Sequence, residues 1–240
     1  MPIFARGDIK LYYEEHGKGF PLLLIAPGGM RSSISFWEKT PWNPITQLAP
    51  HYRVIAMDQR NAGQSFAPIR ATDGWQVYTE DQLALLDHLG VERFHVAGMC
   101  IGGSYCMGLI QAAPQRVTSA VLFQPIGLLN NRQAFFEMFD GWVKEQQPAH
   151  PEADEKAWET FKQNMYGGEF LFSVSREFVA RCTIPLLVLL GNDVYHPPEI
   201  SREIVALAPH ATLIEHWKEP EHHAAAQAAV EQFLAQHTPR

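Results

Sequence analysis

An α/β fold, with a mostly parallel sheet wrapped by helices on both sides, is predicted by three observations. Short, uniformly apolar runs, residues 21–26 and 184–190 among them, read as strands covered on both faces. These runs alternate with helical patterns, as in residues 74–89, where Val77, Leu83, Leu86 and Leu89 share one face before Gly90 stops the helix. The alternation persists through 240 residues without an internal linker, so one large core is expected.

In chain order, residues 9–15 read as a strand of an opening hairpin closed by Gly17-Lys18-Gly19. Residues 21–26 form the next strand and end in Pro27-Gly28-Gly29-Met30, where the backbone has room to approach a ligand. A short helix lies near residues 45–48. Residues 53–57 are a further strand, followed by Asp58-Gln59-Arg60-Asn61-Ala62-Gly63-Gln64-Ser65. After the helix at 74–89 come a short buried strand at 94–97, a helix over 104–113 and a strand at 119–123. The pattern then changes: residues 127–181 hold two or three amphipathic helices, an excursion far longer than the ~2–6 residues typical of a connection. A cap is the expected outcome. Its aromatics, Phe135, Phe136, Phe139, Trp142, Trp158, Phe161 and Tyr166, are expected mostly to pack it onto the body. A strand at 184–190, a helix at 198–207, a strand at 211–216 and a final helix starting near His222 complete the chain.

Between the strand at 94–97 and the next helix lies Gly98-Met99-Cys100-Ile101-Gly102-Gly103. A reactive side chain on a tight strand-to-helix turn needs small neighbours two positions to either side, and Gly98 and Gly102 occupy them. The alternative is a glycine-rich turn holding a buried, inert cysteine. The segment resembles the nucleophile elbow of the α/β-hydrolase superfamily, with cysteine where most members carry serine. Residues 58–65 resemble that superfamily's Asp-x-Arg-Gly-x-Gly-x-Ser segment, Asn61 replacing the first glycine. Asn tolerates positive φ, so the replacement is mild. The resemblance implies an eight-stranded, mostly parallel sheet, a core of residues 1–126 and 182–240, and a helical cap, 127–181, inserted after strand 6. Gly-x-Cys-x-Gly-Gly elbows are similar to those of dienelactone hydrolases, and the capped layout is similar to the lactonase and esterase branch.

Catalytic groups in such sheets gather at the carboxyl ends of strands. Cys100, Asp193 and His222 follow the fifth, penultimate and last strands, in the superfamily's order of nucleophile, acid and histidine. Asp193 also fits a turn or helix cap. His223 is the competitor of His222, with His216 one turn earlier, and an adjacent-histidine metal site lacks a matching set of ligands. The oxyanion hole implied by the resemblance uses the N–H groups of Ile101 and Gly29, with Met30 as the alternative. Pro27 has no N–H to give.

Composition narrows the partners. A net charge of −7 and no basic run argue against nucleic acid, and no apolar run is long enough to span a bilayer. The first ten residues lack a signal-peptide pattern, so a cytoplasmic protein is expected. Three cysteines, Cys100, Cys106 and Cys182, form neither a disulfide framework nor a Cys-x-x-Cys pair. The expected activity is hydrolysis of a small-molecule ester, lactone or thioester through a Cys100 thioester, without metal or cofactor. Acyl transfer to a thiol, amine or alcohol, and ligand binding without catalysis, are the alternatives.

Overall fold

Apolar alternation decides which face of each strand meets which helices. A computed structural model describes residues 2–239. Their strands are β1 (Ile3–Arg6), β2 (Ile9–His16), β3 (Phe20–Ile25), β4 (Tyr52–Met57), β5 (Phe94–Met99), β6 (Val117–Phe123), β7 (Leu186–Leu189) and β8 (Ala211–Ile214). They join into one sheet in the order β1-β2-β4-β3-β5-β6-β7-β8. Every pairing from β4 onward in that order is parallel, while β1 with β2 and β2 with β4 are antiparallel.

The helices are α1 (Pro44–Leu48), α2 (Trp75–His88), α3 (Ile101–Ala112), α4 (Arg132–Gln146), α5 (Glu155–Tyr166), α6 (Arg176–Ala180), α7 (Pro198–Leu207) and α8 (Pro220–His237). Successive residues of a strand point to opposite faces. Leu22 and Leu24 therefore meet Ile45 and Leu48 of α1 and Val230 and Leu234 of α8. Leu23 and Ile25 belong to the opposite cluster, with Leu85 of α2, Leu109 of α3 and Ile204 of α7. Both faces of the central strands are covered, as their unbroken apolar runs require.

The opening hairpin differs from the sequence expectation. It is closed by Gly7-Asp8, because β1 pairs with β2 from Arg6 against Ile9. Gly17-Lys18-Gly19 instead leads away from β2, and β4 lies between β2 and β3. A two-residue turn with a glycine at positive φ suits a twisted hairpin, and Gly7 has φ 60°. The elbow helix also starts earlier than its apolar spacing indicated, directly after Cys100.

Residues 127–181, between β6 and β7, carry α4, α5 and α6. Edge-to-face contacts of Phe139 with Phe161 (5.3 Å) and of Trp142 with Trp158 (5.8 Å) bind α4 to α5. The segment is fastened to the body by polar contacts as well: Trp75 Nε1 donates to the Met165 carbonyl (2.6 Å) and Ser173 Oγ to the Ser104 carbonyl (2.7 Å). Among the described residues, no helix is long and apolar enough to cross a membrane.

The junction of β5 with α3 has no spare room. A Cβ added at Gly102 would lie 2.5 Å from the Ile25 carbonyl oxygen of β3. Gly102→Ala is therefore expected to force the helix off the sheet and to cost about 1–3 kcal/mol, read as a lowered urea midpoint at unchanged slope.

Candidate active site

The chain turns from β5 into α3 through Cys100, which holds φ 60° and ψ −120°. Three backbone hydrogen bonds fix that conformation. Cys100 N–H donates to the Phe123 carbonyl (3.0 Å), and the Cys100 carbonyl accepts from Gly103 (3.0 Å) and Ile126 (3.3 Å). The sulfur is half-buried, whereas Cys106 and Cys182 are buried. It lies in the wall of a cavity of about 200 Å³ lined otherwise by Gly28, Gly29, Ile101, Ile126, Phe135, Met138, Tyr166 and Tyr195.

Asp193 and His196 come from one loop, between β7 and α7. Reciprocal backbone bonds, Asp193 N–H to the His196 carbonyl (3.3 Å) and His196 N–H to the Asp193 carbonyl (3.1 Å), close it tightly. The turn requires glycine at 191, where a Cβ would meet the His196 carbonyl oxygen at 2.3 Å. The imidazole donates through Nδ1 to the Asp193 carboxylate, 2.7 and 2.8 Å from its two oxygens. The carboxylate also accepts from the backbone of Tyr195 (2.9 Å) and His196 (3.1 Å). Nε2 of His196 is buried with no hydrogen-bond partner among the described residues, and Cys100 is near enough for the two groups to shift each other's charge.

The three groups set each other's charge. Burial raises the Cys100 thiol, but the charge and hydrogen bond of His196, with the N–H groups of Ile101 and Gly28, outweigh it and hold the thiol below its usual value. Burial pulls His196 down, yet the charge of Cys100 and the hydrogen bond to Asp193 lift it to about 9. Asp193 falls to about 2, mainly through the hydrogen bond from His196. Each shift favours the charged form, so the arrangement is biased toward a thiolate–imidazolium pair beside a carboxylate. Burial drives Cys106 and Cys182 the other way, toward the neutral thiol.

The histidine at Cys100 is thus His196, not His222. His222 is half-buried at the start of α8, its ring against His216 at 5.3 Å. His223 bonds the Lys218 carbonyl through Nε2 (2.8 Å) and packs edge-on to Trp42. Neither ring has a hydrogen bond to Cys100, Asp193 or His196 among the described residues. The reason is the loop after β8. Trp217 Nε1 donates to the Leu190 carbonyl (2.8 Å) and Lys218 reaches Asn192, so this loop braces the Asp193 loop and its histidines face elsewhere. The overlooked signal was Asp-x-x-His-Pro itself, with acid and imidazole three residues apart on a tight turn.

The backbone N–H groups of Ile101 and Gly28 act on the Cys100 sulfur and lower the thiol. Gly29 opens a short helical turn through Arg31 and lines the cavity, while Met30 is buried in the core. Asn61 has φ 58°, and its side-chain oxygen accepts from Ala67 N–H (2.8 Å), so the left-handed position is filled by a residue that tolerates it. Among the described residues, no group of three or more His, Cys, Asp or Glu could hold a metal ion.

This combination of sheet order, elbow and strand-end loops is that of a known class, and the sequence agrees. The chain belongs to the α/β-hydrolase fold family, whose model matches residues 21–167. A RutD protein of Azorhizobium caulinodans, named as a carbamate hydrolase, is 42% identical over 125 residues, which are 51% of this chain and 43% of that protein. The match therefore spans less than half of RutD. A Mycobacterium tuberculosis protein named as the non-heme bromoperoxidase BpoC is 25% identical over 242 residues, 86% of this chain and 88% of that one. Among solved structures, a hydrolase from Pseudomonas aeruginosa is similar over 97% of each chain, with a TM-score of 0.72 and 25% identity.

The geometry predicts how Cys100 titrates. The thiolate–imidazolium pair forms as pH rises through the lowered thiol value and is lost near pH 9, when His196 releases its proton. Iodoacetamide is expected to label Cys100 at pH 7 about tenfold faster than in His196→Ala, with His222→Ala at the wild-type rate. Peptide-resolved mass spectrometry checks this, with Cys106 and Cys182 unlabelled in the native protein.

Proposed function

We propose that this chain hydrolyses a small ester, lactone or thioester through a thioester on Cys100, with His196 as acid and base and Asp193 orienting the imidazole. One observation carries the reading: a half-buried thiol faces an imidazole that is hydrogen-bonded on its other side to a carboxylate, and the thiol is held below its ordinary value. That is the relation of nucleophile, base and orienting group that acyl transfer requires.

The Cys100 thiolate attacks the carbonyl carbon, and the carbonyl π pair moves onto oxygen. Backbone N–H groups of Ile101, at the N-terminus of α3, and of the Gly28-Gly29 turn, which lines the cavity, are suited to hold that oxyanion. Collapse expels the leaving group, which takes the proton from His196 Nε2. His196, now neutral, accepts a proton from water as the water attacks the thioester. The second tetrahedral species then releases the carboxylic acid and the Cys100 thiolate. Asp193 keeps Nδ1 protonated throughout and stabilises the imidazolium.

The cavity bounds the substrate. At about 200 Å³ it is only somewhat larger than the roughly 150 Å³ that holds a benzene ring, so the enclosed part of the substrate is small. Its wall of Ile126, Phe135 and Met138 suits an uncharged acyl group. The carbamate in the name of RutD is also a carbonyl with a heteroatom leaving group, and belongs among the substrates to be screened.

Cys100→Ala is expected to abolish turnover of p-nitrophenyl esters and His196→Ala to lower kcat by about 10²–10⁴-fold. Cys100→Ser should retain a fraction, because the elbow accepts either side chain. Intact-mass analysis during turnover should find the acyl adduct on Cys100. Undiminished activity of Cys100→Ala would sink the mechanism.

A further inference from the structure

The wall of the cavity at Cys100 is apolar apart from one group that the proposed mechanism leaves unused. Tyr166, the last residue of α5, is wholly buried and lines the cavity, yet its hydroxyl has no hydrogen-bond partner among the described residues. Its ring is locked by stacking on Phe135 (5.2 Å) and by edge contacts with Phe172 (5.4 Å) and Trp75 (6.2 Å). The hydroxyl therefore cannot swing away to find a partner elsewhere. Burial keeps it protonated far above the range of an ordinary tyrosine, and the charge that bears on it most is that of Cys100. It is a fixed donor beside the nucleophile.

Two more tyrosines stand near it: Tyr78 and Tyr105, stacked at 5.0 Å and buried, act on each other's hydroxyls and lie within electrostatic reach of Tyr166. A buried hydroxyl without a partner is a net cost to folding, and phenylalanine would fill the same space without it. Of the three, only Tyr166 lines the cavity.

The other positions around the sulfur have their own tasks. In the proposed mechanism the N–H groups of Ile101 and of the Gly28-Gly29 turn take the carbonyl oxygen, and His196 serves the leaving group and the water. What remains for Tyr166 is the acyl side of the substrate. We infer that Tyr166 is a specificity-determining residue whose hydroxyl donates a hydrogen bond to an oxygen borne by the acyl group close to the scissile carbonyl, so that the substrates are oxygen-substituted rather than plain alkyl acyl compounds. This rests on the Cys100 reading and names the substrate class for it. A site built to bond an oxygen rejects the analogue without one more strongly than an apolar pocket rejects a changed chain length.

The test compares p-nitrophenyl methoxyacetate with p-nitrophenyl butyrate, which have acyl groups of equal length and differ by one ether oxygen. The ratio of kcat/KM for the two esters is measured in wild type and in Tyr166→Phe, so that their intrinsic reactivities cancel. The expected result is a ratio about tenfold smaller in the variant, the loss falling on methoxyacetate alone. An unchanged ratio with Cys100-dependent turnover overturns the role of Tyr166 and leaves the nucleophile standing. Absence of turnover and of a Cys100 adduct with either ester overturns both. A second measurement needs no variant: methoxyacetamide should protect wild-type Cys100 from iodoacetamide at several-fold lower concentration than butyramide, and equal protection overturns the inference.

Discussion

The backbone at Cys100 is the constraint on which the rest of the site depends. A non-glycine residue at φ 60° and ψ −120° costs on the order of 1–3 kcal/mol and survives only where its surroundings over-determine it. Here β6 supplies an acceptor for Cys100 N–H, while Gly103 and Ile126 donate to its carbonyl. The same conformation puts the thiol in the cavity wall and starts α3 at the next residue, so thiol and helix N-terminus are delivered together. Gly28 after β3 and His196 after β7 then converge on a point fixed by strands held in parallel register.

Electrostatics follow from that convergence. A thiolate, an imidazolium and a carboxylate in contact sum to one negative charge in a half-enclosed setting. Pairing offsets the desolvation of the first two. For the third, the Lys218 ammonium lies beside the loop, bonded to Asn192 and within the field of Asp193. The loop after β8 thus serves the site through a lysine and a tryptophan, although the sequence order had suggested one of its histidines.

What was readable in the chain divides along a physical line. Strands β3 and β7 and helix α2 were legible because burial on two faces or one leaves a period in the sequence. Cys100 was legible because Gly98 and Gly102 on either side have no other use. Asp193 stood alone at a strand end. The histidine was not legible in the same way, since the direction of a side chain on a loop depends on the closure of that loop. Nothing in the spacing of His222 reveals that Trp217 and Lys218 turn it away. The aromatics of residues 127–181 read as packing, and most of them are; Phe135 and Tyr166 also line the cavity, which periodicity could not distinguish.

Holding acid and imidazole three residues apart has an evolutionary side. When the two groups sit in separate loops, an insertion or deletion in either one dislocates them, and both loops must be conserved in step. Here Gly191 to Pro197 is a cassette: acid and imidazole are joined within one tight turn, so both can be inherited or lost in a single event. The start of α8 is correspondingly released, and relatives that retain the cassette need have no histidine at the position of His222.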